Sequence, residues 1–295
     1  MLSFEGIWVP LVTPFANGAV DHLALRRLVQ LLAAQGVAGF MPCGSTGEAA
    51  MLDEAEQDAV LATVLAAAGD RPVIMGLAGT RPDRVAARAR RLAEQQPVAG
   101  WLLAAPPYVR PSQAALVQHF HTVASATPLP LVAYDVPART GVRLQPATLL
   151  ALAEHPQIRA VKDCSGDRAA AECLLADGRL ALLGGNDDEL FDQLARGAAG
   201  AVTASAHLAT ARFVQLHRLL QAGALADARA LWRRLQPVTA AAFAEPNPAP
   251  VKSALAHQGW LQDALRAPMW PAGEATVAGL LAAVAAAEPP PINLR

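Results

Sequence analysis

Lysine is rare in this chain, and one lysine stands where a free amine could do chemistry. Lys162 and Lys252 are the only lysines among 24 basic residues. Arginine cannot replace lysine as a nucleophile, because a guanidinium group does not deprotonate in proteins. Lys162 lies in the run AVKDCSG near the end of a predicted strand, where burial would lower the pKa of its amine and prepare it to attack a carbonyl carbon. The alternative is a lysine that reaches solvent or pairs with Asp163, and placement alone leaves both open.

The run GSTGE, at residues 44–48, follows another predicted strand. Its glycines allow a tight turn, and the hydroxyls of Ser45 and Thr46 with free backbone N–H groups would form a cradle for a small anion such as a carboxylate. The alternative is an ordinary loop in which Ser45 or Thr46 caps the next helix.

Two tyrosines and an arginine follow further strands. Tyr134, in LVAYDVPARTG, could move protons to and from a substrate held by Lys162. Arg139 lies five residues later in a turn and could bind a carboxylate with its fork of donors. Tyr108 lies in the proline-stiffened loop APPYVRP. The alternatives are a half-buried tyrosine at a strand end and a solvated loop arginine.

Other clusters of reactive residues fit chemistry less well. His119 and His121 are two residues apart on a predicted helix and point to different faces, so they do not form a metal pair. The acidic run 187–189 is expected to begin a helix, where carboxylates favour the helix dipole, with metal binding as the weaker alternative. Lys252, in NPAPVK, is expected to be structural. The three cysteines suggest neither disulfides nor zinc: Cys43, Cys164 and Cys173.

Short apolar runs alternate with amphipathic stretches along the chain. The predicted strands are Ile7–Pro14, Val37–Cys43, Pro72–Ala78, Gly100–Ala105, Leu129–Asp135, Ile158–Cys164, Leu180–Gly184 and Gly200–Ala204. The clearest helical patterns are Asp21–Gln35, Asp53–Ala68, Pro82–Gln95 and Ser112–Ala126. These predict an α/β fold, a (β/α)8 TIM barrel over residues 1–222. An open doubly wound sheet is the alternative, but VTPFANG is not its glycine fingerprint.

The chain continues after the eighth strand–helix unit. Residues 210–287 are rich in alanine and leucine and predict helices with a break at Glu245–Pro250. We therefore expect a C-terminal helical extension over residues 223–295, with Glu288–Arg295 as an extended tail.

The composition excludes several classes of protein. The 295 residues are 53% hydrophobic and 17% charged, with a net charge of −1, which gives no basic surface for nucleic acid or anionic membranes. No apolar run is long enough for a membrane helix, and the N-terminus does not read as a signal peptide. We expect a cytoplasmic protein.

The motifs together resemble the dihydrodipicolinate synthase / N-acetylneuraminate lyase family of class I pyruvate aldolases. The resemblance runs from about residue 6 to residue 270. The motifs occur in the family's order: VTPF at 12–15, GSTGE at 44–48, PYVRP at 107–111, YDVPARTG at 134–141, VKD at 161–163 and NPAPVK at 247–252. Arg139 within VPARTG and the NPAPVK stretch are closest to the synthases, although Ser45 replaces their usual threonine and Asp135 a common asparagine.

The resemblance implies catalytic roles. Lys162 would form the Schiff base, and Tyr134 would relay protons to the imine and enamine. Ser45 would link the tyrosines and, with Thr46, help bind the pyruvate carboxylate. Tyr108 would reach across a dimer interface into the neighbouring active site.

The resemblance also implies binding residues, a reaction and an assembly. Arg139 would bind the carboxylate of the second substrate, and Gly44 and Val202 are further expected substrate-binding positions. The implied activity is condensation of pyruvate with aspartate 4-semialdehyde on the lysine/diaminopimelate route, without cofactor or metal, by a homo-oligomer (a dimer or a tetramer). Two alternatives stay open: a sibling aldolase or dehydratase acting on a 2-keto-3-deoxy sugar acid or N-acetylneuraminate, and a non-catalytic barrel that binds a keto acid.

Overall fold

Eight parallel strands form the centre of the molecule in the computed structural model, which describes residues 2–288. The strands in chain order are β1 (Gly6–Val9), β2 (Phe15–Ala16), β3 (Ala19–Val20), β4 (Gly39–Phe40), β5 (Ile74–Leu77), β6 (Gly100–Ala104), β7 (Leu131–Asp135), β8 (Ile158–Asp163), β9 (Ala181–Gly184) and β10 (Gly200–Val202). β2 and β3 form a separate antiparallel hairpin, and the others pair in the order β4-β1-β10-β9-β8-β7-β6-β5.

The sheet closes on itself between β4 and β5. A parallel bridge joins Phe40 to Val73, and the Gly76 N–H donates to the Pro42 carbonyl at 2.9 Å. The (β/α)8 TIM barrel predicted from the sequence is therefore confirmed, and each predicted strand overlaps one barrel strand. The hydrogen-bonded strands are shorter than predicted, most clearly at β4, because the ends of the apolar runs continue into loops.

Helices surround the barrel and continue beyond it. They are α1 (His22–Ala34), α2 (Glu54–Ala67), α3 (Pro82–Gln95), α4 (Gln113–Ala124), α5 (Pro137–Thr140), α6 (Pro146–Leu152), α7 (Arg168–Asp177), α8 (Leu190–Ala195), α9 (Thr210–Gln221), α10 (Leu225–Ala242), α11 (Ala249–His257) and α12 (Glu274–Ala287). Local sequence explains several starts: Asp21 caps α1, and Asp53 with Glu56 forms a capping box on α2. No helix within residues 2–288 is long and apolar enough to cross a membrane.

The C-terminal helical extension is confirmed, with two corrections to its internal breaks. α10 packs against α9 and α12. The predicted break at Glu245–Pro250 ends earlier, because Ala249 and Pro250 form the first turn of α11, where a proline loses no hydrogen bond. Residues 258–273 form a second break that the alanine-rich pattern did not predict. We propose that the barrel ends at residue 222 and the extension begins at residue 223. The turn at residues 222–224, between α9 and α10, supports this division. Of the predicted tail, residues 289–295 lie outside the described part.

Side chains alternate between two layers. On β7, Leu131 and Ala133 join the core between strands and helices, whereas Val132 and Tyr134 join a smaller cluster inside the barrel. Trp8 is fully buried in this inner cluster, and a side chain at Gly39 would collide with its ring. The interior is therefore a packed core, and chemistry belongs at the ends of the strands.

Candidate active site

A cavity of about 300 Å3 opens at the C-terminal ends of the barrel strands. Its walls come from the loops after β4, β5, β6 and β7 and from the C-terminal extension. Four of the predicted site residues line it: Gly44, Ser45, Tyr134 and Arg139. Distant parts of the chain thus meet where TIM barrels carry their active sites.

Lys162 and Tyr134 form the base of this site. They are register partners on β8 and β7, and both lie inside the barrel because each occupies the inward position of its strand. The Lys162 Nζ lies 4.2 Å from the centroid of the Tyr134 ring. Lys162 is 6% exposed and does not itself line the cavity, but the ring that it contacts does. Lys162 therefore neither reaches solvent nor pairs with Asp163, the alternative that its placement left open.

The surroundings of Lys162 favour a neutral amine. Burial lowers the pKa of its amine below the ordinary value of 10.5, and the positive charge of Arg139 acts in the same direction. Cys164 and Asp187 oppose this shift, but burial is the larger cause. A neutral amine is the form that attacks a carbonyl carbon.

The phenol of Tyr134 is held by two neighbours. The Cys164 Sγ lies 3.9 Å from its oxygen, and the Ser45 side chain acts to lower the pKa of the phenol. Burial raises the pKa of this phenol well above its ordinary value of 10.0, with smaller opposite effects from Ser45 and Arg139. Tyr134 therefore carries its proton at neutral pH and can donate it beside Lys162.

The loop of residues 44–48 is held in an uncommon backbone conformation. Cys43, which directly precedes the loop, and Glu48, its last residue, have φ of 57° and 53°, in the left-handed region. Inside it, the Gly47 N–H donates to the Gly44 carbonyl at 3.1 Å and the Glu48 N–H to the Ser45 carbonyl at 3.2 Å. Neither hydroxyl caps the next helix, since Asp53 caps α2. The loop is therefore a compact turn that presents Ser45 to the cavity.

With this geometry in place, comparison with known proteins identifies the family. Residues 3–287 match the model of the dihydrodipicolinate synthetase family. The chain belongs to this family. It is 38% identical to the 4-hydroxy-tetrahydrodipicolinate synthase of Pelobacter propionicus over 282 residues, 95% of this chain and 97% of the relative.

Solved structures of dihydrodipicolinate synthases share the fold. The enzyme from Thermotoga maritima has a TM-score of 0.92 at 30% identity, over 96% of this chain and 98% of its own. The chloride-inhibited enzyme from Acinetobacter baumannii, solved in complex with pyruvate, has a TM-score of 0.92 at 30% identity, over 97% of this chain and 99% of its own.

In this member of the dihydrodipicolinate synthetase family, Thr46 and Arg139 both contact Asn247 of the C-terminal extension. The Asn247 Nδ2 donates to the Thr46 Oγ1 at 2.9 Å, and the Arg139 Nη2 donates to the Asn247 carbonyl at 3.5 Å. Thr46 is buried and does not line the cavity. Its hydroxyl therefore joins the 44–48 loop to the C-terminal extension. Asn247 lines the cavity, and no protein group reaches its buried Oδ1. Sequence analysis quoted its motif, NPAPVK, but not this residue.

Gly185 and Asp187 are two further neighbours of Lys162 that sequence analysis missed. A Cβ at Gly185 would lie 3.1 Å from the Lys162 Cε and would collide with the Cys164 Sγ. Asp187 begins a 3-10 turn, Asp187–Glu189, as predicted for a helix-start acid, and its buried carboxylate accepts hydrogen bonds from the Thr203 hydroxyl at 2.6 Å and the Ser205 N–H at 2.7 Å. The doublet Gly184–Gly185 at the end of β9 was the one available signal, because glycine in a strand often marks close backbone approach.

Tyr108 and Val202 do not line the cavity. Tyr108 is 94% exposed, with φ of 72°, and in the single chain its side chain extends into solvent. Val202 is buried inside the barrel in the same cluster as Tyr134. Their roles stay predictions. The role of Tyr108 in a neighbouring active site requires a second subunit, and substrate binding by Val202 requires the packed barrel interior to become accessible to the substrate.

The other residues considered for chemistry in the sequence have surroundings that are typical of structural roles. Lys252 is fully buried and ion-paired with Glu48 at 2.6 Å. His119 meets Phe120 edge-on, whereas the ring of His121 lies 5.2 Å from that of His155. Within residues 2–288 there is no group of three side chains arranged to hold a metal ion. The three cysteines are free thiols.

Proposed function

We propose that this chain is a Schiff-base-forming lyase that condenses pyruvate with aspartate 4-semialdehyde to 4-hydroxy-tetrahydrodipicolinate. The observation that carries the proposal is the buried Lys162 amine, 4.2 Å from the centre of the Tyr134 ring at the cavity wall. The curated relatives named 4-hydroxy-tetrahydrodipicolinate synthase, at 35–38% identity, support this activity among those of the family.

The chemistry begins with attack of the Lys162 amine on the keto carbon of pyruvate. Water leaves, and the resulting imine draws electrons from the methyl group, which loses a proton to give an enamine. The enamine carbon then forms a bond to the aldehyde carbon of the second substrate, the aldehyde oxygen takes up a proton, and the imine to Lys162 is restored. The amino group of the second substrate attacks this imine carbon, which closes the ring, breaks the bond to the Lys162 nitrogen and releases the lysine amine. Tyr134, with Ser45, is placed to carry these protons. The N–H groups of Ser45 and Thr46, which the loop's internal hydrogen bonds do not use, would hold the pyruvate carboxylate.

The cavity walls favour a small acceptor aldehyde over a sugar derivative. Much of the wall is apolar, including Leu77, Leu102, Val136 and Met269, and Arg139 stands near Asn247 at one side. A sugar acid would leave several hydroxyls without partners against this wall, which costs free energy. Aspartate 4-semialdehyde has a carboxylate for Arg139 and a short carbon chain.

A substrate comparison tests the activity. The purified protein is assayed with pyruvate and aspartate 4-semialdehyde, coupled to reduction of the product, and in parallel for cleavage of N-acetylneuraminate and of a 2-keto-3-deoxy sugar acid. We expect turnover with the semialdehyde only. Turnover with a sugar acid alone would establish the sibling activity instead. If none is turned over and pyruvate binds without a covalent adduct, the chain is a non-catalytic keto-acid-binding barrel.

We also propose a homo-oligomer, a dimer or a dimer of dimers, in the cytoplasm. Support for the assembly comes from the loop around Tyr108, where Tyr108 is 94% and Val109 is 53% exposed. Large apolar side chains presented together at the end of a stiff loop are typical of surfaces that bind another protein. The free thiols are compatible with a reducing compartment.

A further inference from the structure

The second lysine of the chain lies at a junction between the barrel and the C-terminal extension. Lys252, on α11, has its Nζ 2.6 Å from the Glu48 Oε1, 2.8 Å from the Thr13 carbonyl and 4.3 Å from the centre of the Phe15 ring. Its side chain is 0% exposed and that of Glu48 is 2% exposed. The ion pair is almost entirely shielded from solvent, so it is not a screened surface contact.

The Glu48 carboxylate uses both of its oxygens to join separate segments. Its Oε1 faces Lys252, and its Oε2 accepts from the Arg266 N–H at 3.1 Å. The Arg266 guanidinium donates to the Met51 carbonyl at 2.7 Å, just after the 44–48 loop. Glu48 is therefore tied to two positions of the extension, and the extension is tied back to the segment that follows Glu48.

Glu48 also fixes the loop that carries the site hydroxyls. Its left-handed φ of 53° is an uncommon conformation for a residue with a side chain and persists only when surrounding contacts hold it. Its N–H closes the turn onto the Ser45 carbonyl at 3.2 Å, and Ser45 lines the same cavity as Tyr134. A displacement of Glu48 would thus move Ser45 directly.

Lys252 is connected to the same loop by a second route. Asn247, at the start of NPAPVK, donates to Thr46 at 2.9 Å, and the Lys252 N–H donates to the Pro248 carbonyl at 3.0 Å. The helix start that carries Lys252 therefore contacts the loop at Thr46 as well as at Glu48. The contacts at Thr46 and Glu48 lie on either side of Gly47. Because the loop is held at two points, its orientation is fixed as well as its distance from the extension.

We propose that Lys252 is a positioning residue for pyruvate binding: through Glu48 it holds the Ser45–Thr46 loop in the conformation that receives the substrate carboxylate. This rests on the proposed function for its ligand. Lys252 does not act as a second nucleophile, because its amine is enclosed by Glu48, Thr13 and Phe15 and has no contact with the cavity.

Three variants and a control separate positioning from stability. Lys252→Met leaves the Glu48 carboxylate buried without its partner, which destabilises a protein strongly. The double variant Glu48→Gln/Lys252→Met leaves no unpaired charge, so we expect it to recover most of the melting temperature. The single variant Glu48→Gln completes the double-mutant cycle. Arg179→Met is the matched control, because it removes an exposed pair with Asp177.

Pyruvate binding in the double variant is the deciding measurement. The concentration of pyruvate that gives half-maximal borohydride trapping should rise about tenfold or more in the double variant, since small misplacements of a binding group have effects of this size. It should be unchanged in Arg179→Met. The effects of Glu48→Gln and Lys252→Met on this concentration should be less than additive, as expected for residues in contact. A double variant that recovers both melting temperature and pyruvate binding would overturn the proposal.

Amide hydrogen exchange of the loop keeps this test separate from the proposed function. We expect peptides covering residues 44–52 to exchange faster in the double variant than in the wild type and in Arg179→Met. Unchanged exchange would overturn the positioning role even if pyruvate binds. If the wild-type protein traps no pyruvate, the proposed function fails, and exchange still decides whether Lys252 holds the loop.

Discussion

Lys162 and Tyr134 lie directly opposite each other on neighbouring parallel strands, with the lysine Nζ 4.2 Å from the centre of the tyrosine ring. Both side chains point into the barrel at the end where the strands meet the cavity. Burial alone therefore favours a neutral amine beside a protonated phenol, which is the pair of protonation states that imine formation requires.

Replacing Tyr134 with phenylalanine should reduce turnover without preventing imine formation at high pyruvate. Tyr134→Phe keeps the ring against Lys162 but removes the hydroxyl that carries the proton. We expect kcat to fall by about 10²- to 10⁴-fold, the usual contribution of general acid–base catalysis. Steady-state kinetics and borohydride trapping on the same samples check this. A variant with wild-type kcat would exclude the phenol as the proton carrier.

The pH dependence of imine formation should report the Lys162 amine. As pH rises, the rate of trapping at low pyruvate should increase and then level off with an apparent pKa below 10.5, because burial lowers the pKa of this amine. Arg139 lowers it further, so Arg139→Met should move the midpoint to higher pH. A midpoint that stays in place or moves to lower pH in this variant would contradict the assigned effect of Arg139.

Asp135 should make the fold less stable as pH rises. Burial raises the pKa of this carboxyl from 3.8 to about 7, with Asp163 acting in the same direction and Arg143 opposing it. Since the folded state keeps the proton to higher pH than the unfolded state, the stabilisation is present below pH 4 and is lost between about pH 4 and pH 7. The loss is about 4 kcal/mol.

An Asp135→Asn variant tests this linkage. An asparagine oxygen can still accept from the Leu144 N–H, now at 3.2 Å from the Asp135 Oδ1. The variant should be more stable than the wild type at pH 8 and should show a flatter pH profile between pH 4 and pH 7 in urea unfolding. Equal slopes in the two proteins would show that Asp135 does not hold the proton.

Tyr108 should act in the active site of a second subunit. We expect sedimentation to show at least a dimer. Lys162→Arg and Tyr108→Ala should each be weakly active alone, but a mixture refolded together should regain up to about a quarter of wild-type activity, because half of randomly formed dimers contain one intact site. An active monomer, or a mixture no better than its components, would refute the role.

The barrel was predictable because its information is local. Continuous apolar runs such as the one around Val132 and Tyr134 indicate strands buried on both faces, and their alternation with helices determines the topology. Strand ends were less predictable: only Gly39 and Phe40 of the run Val37–Cys43 pair as a strand, and the chain enters the left-handed region three residues after β4, at Cys43.

Parts of the site depend on contacts between distant positions. Asn247 meets Thr46 and Lys252 meets Glu48 across about 200 residues, and no local pattern encodes such contacts. Asp187 begins a helical turn, as its acidic run predicted, but its burial against Thr203 depends on a distant contact that the run does not encode. The roles assigned to the site residues remain predictions, and the experiments described above test them.

The most direct test is covalent trapping of pyruvate. The protein is reduced with borohydride in the presence of pyruvate, digested and analysed by mass spectrometry. The account predicts a carboxyethyl group on Lys162, no modification of Lys252 and no adduct in Lys162→Arg, whose guanidinium cannot form the imine. An unmodified Lys162 in protein that binds pyruvate, or an adduct on Lys252, would contradict it.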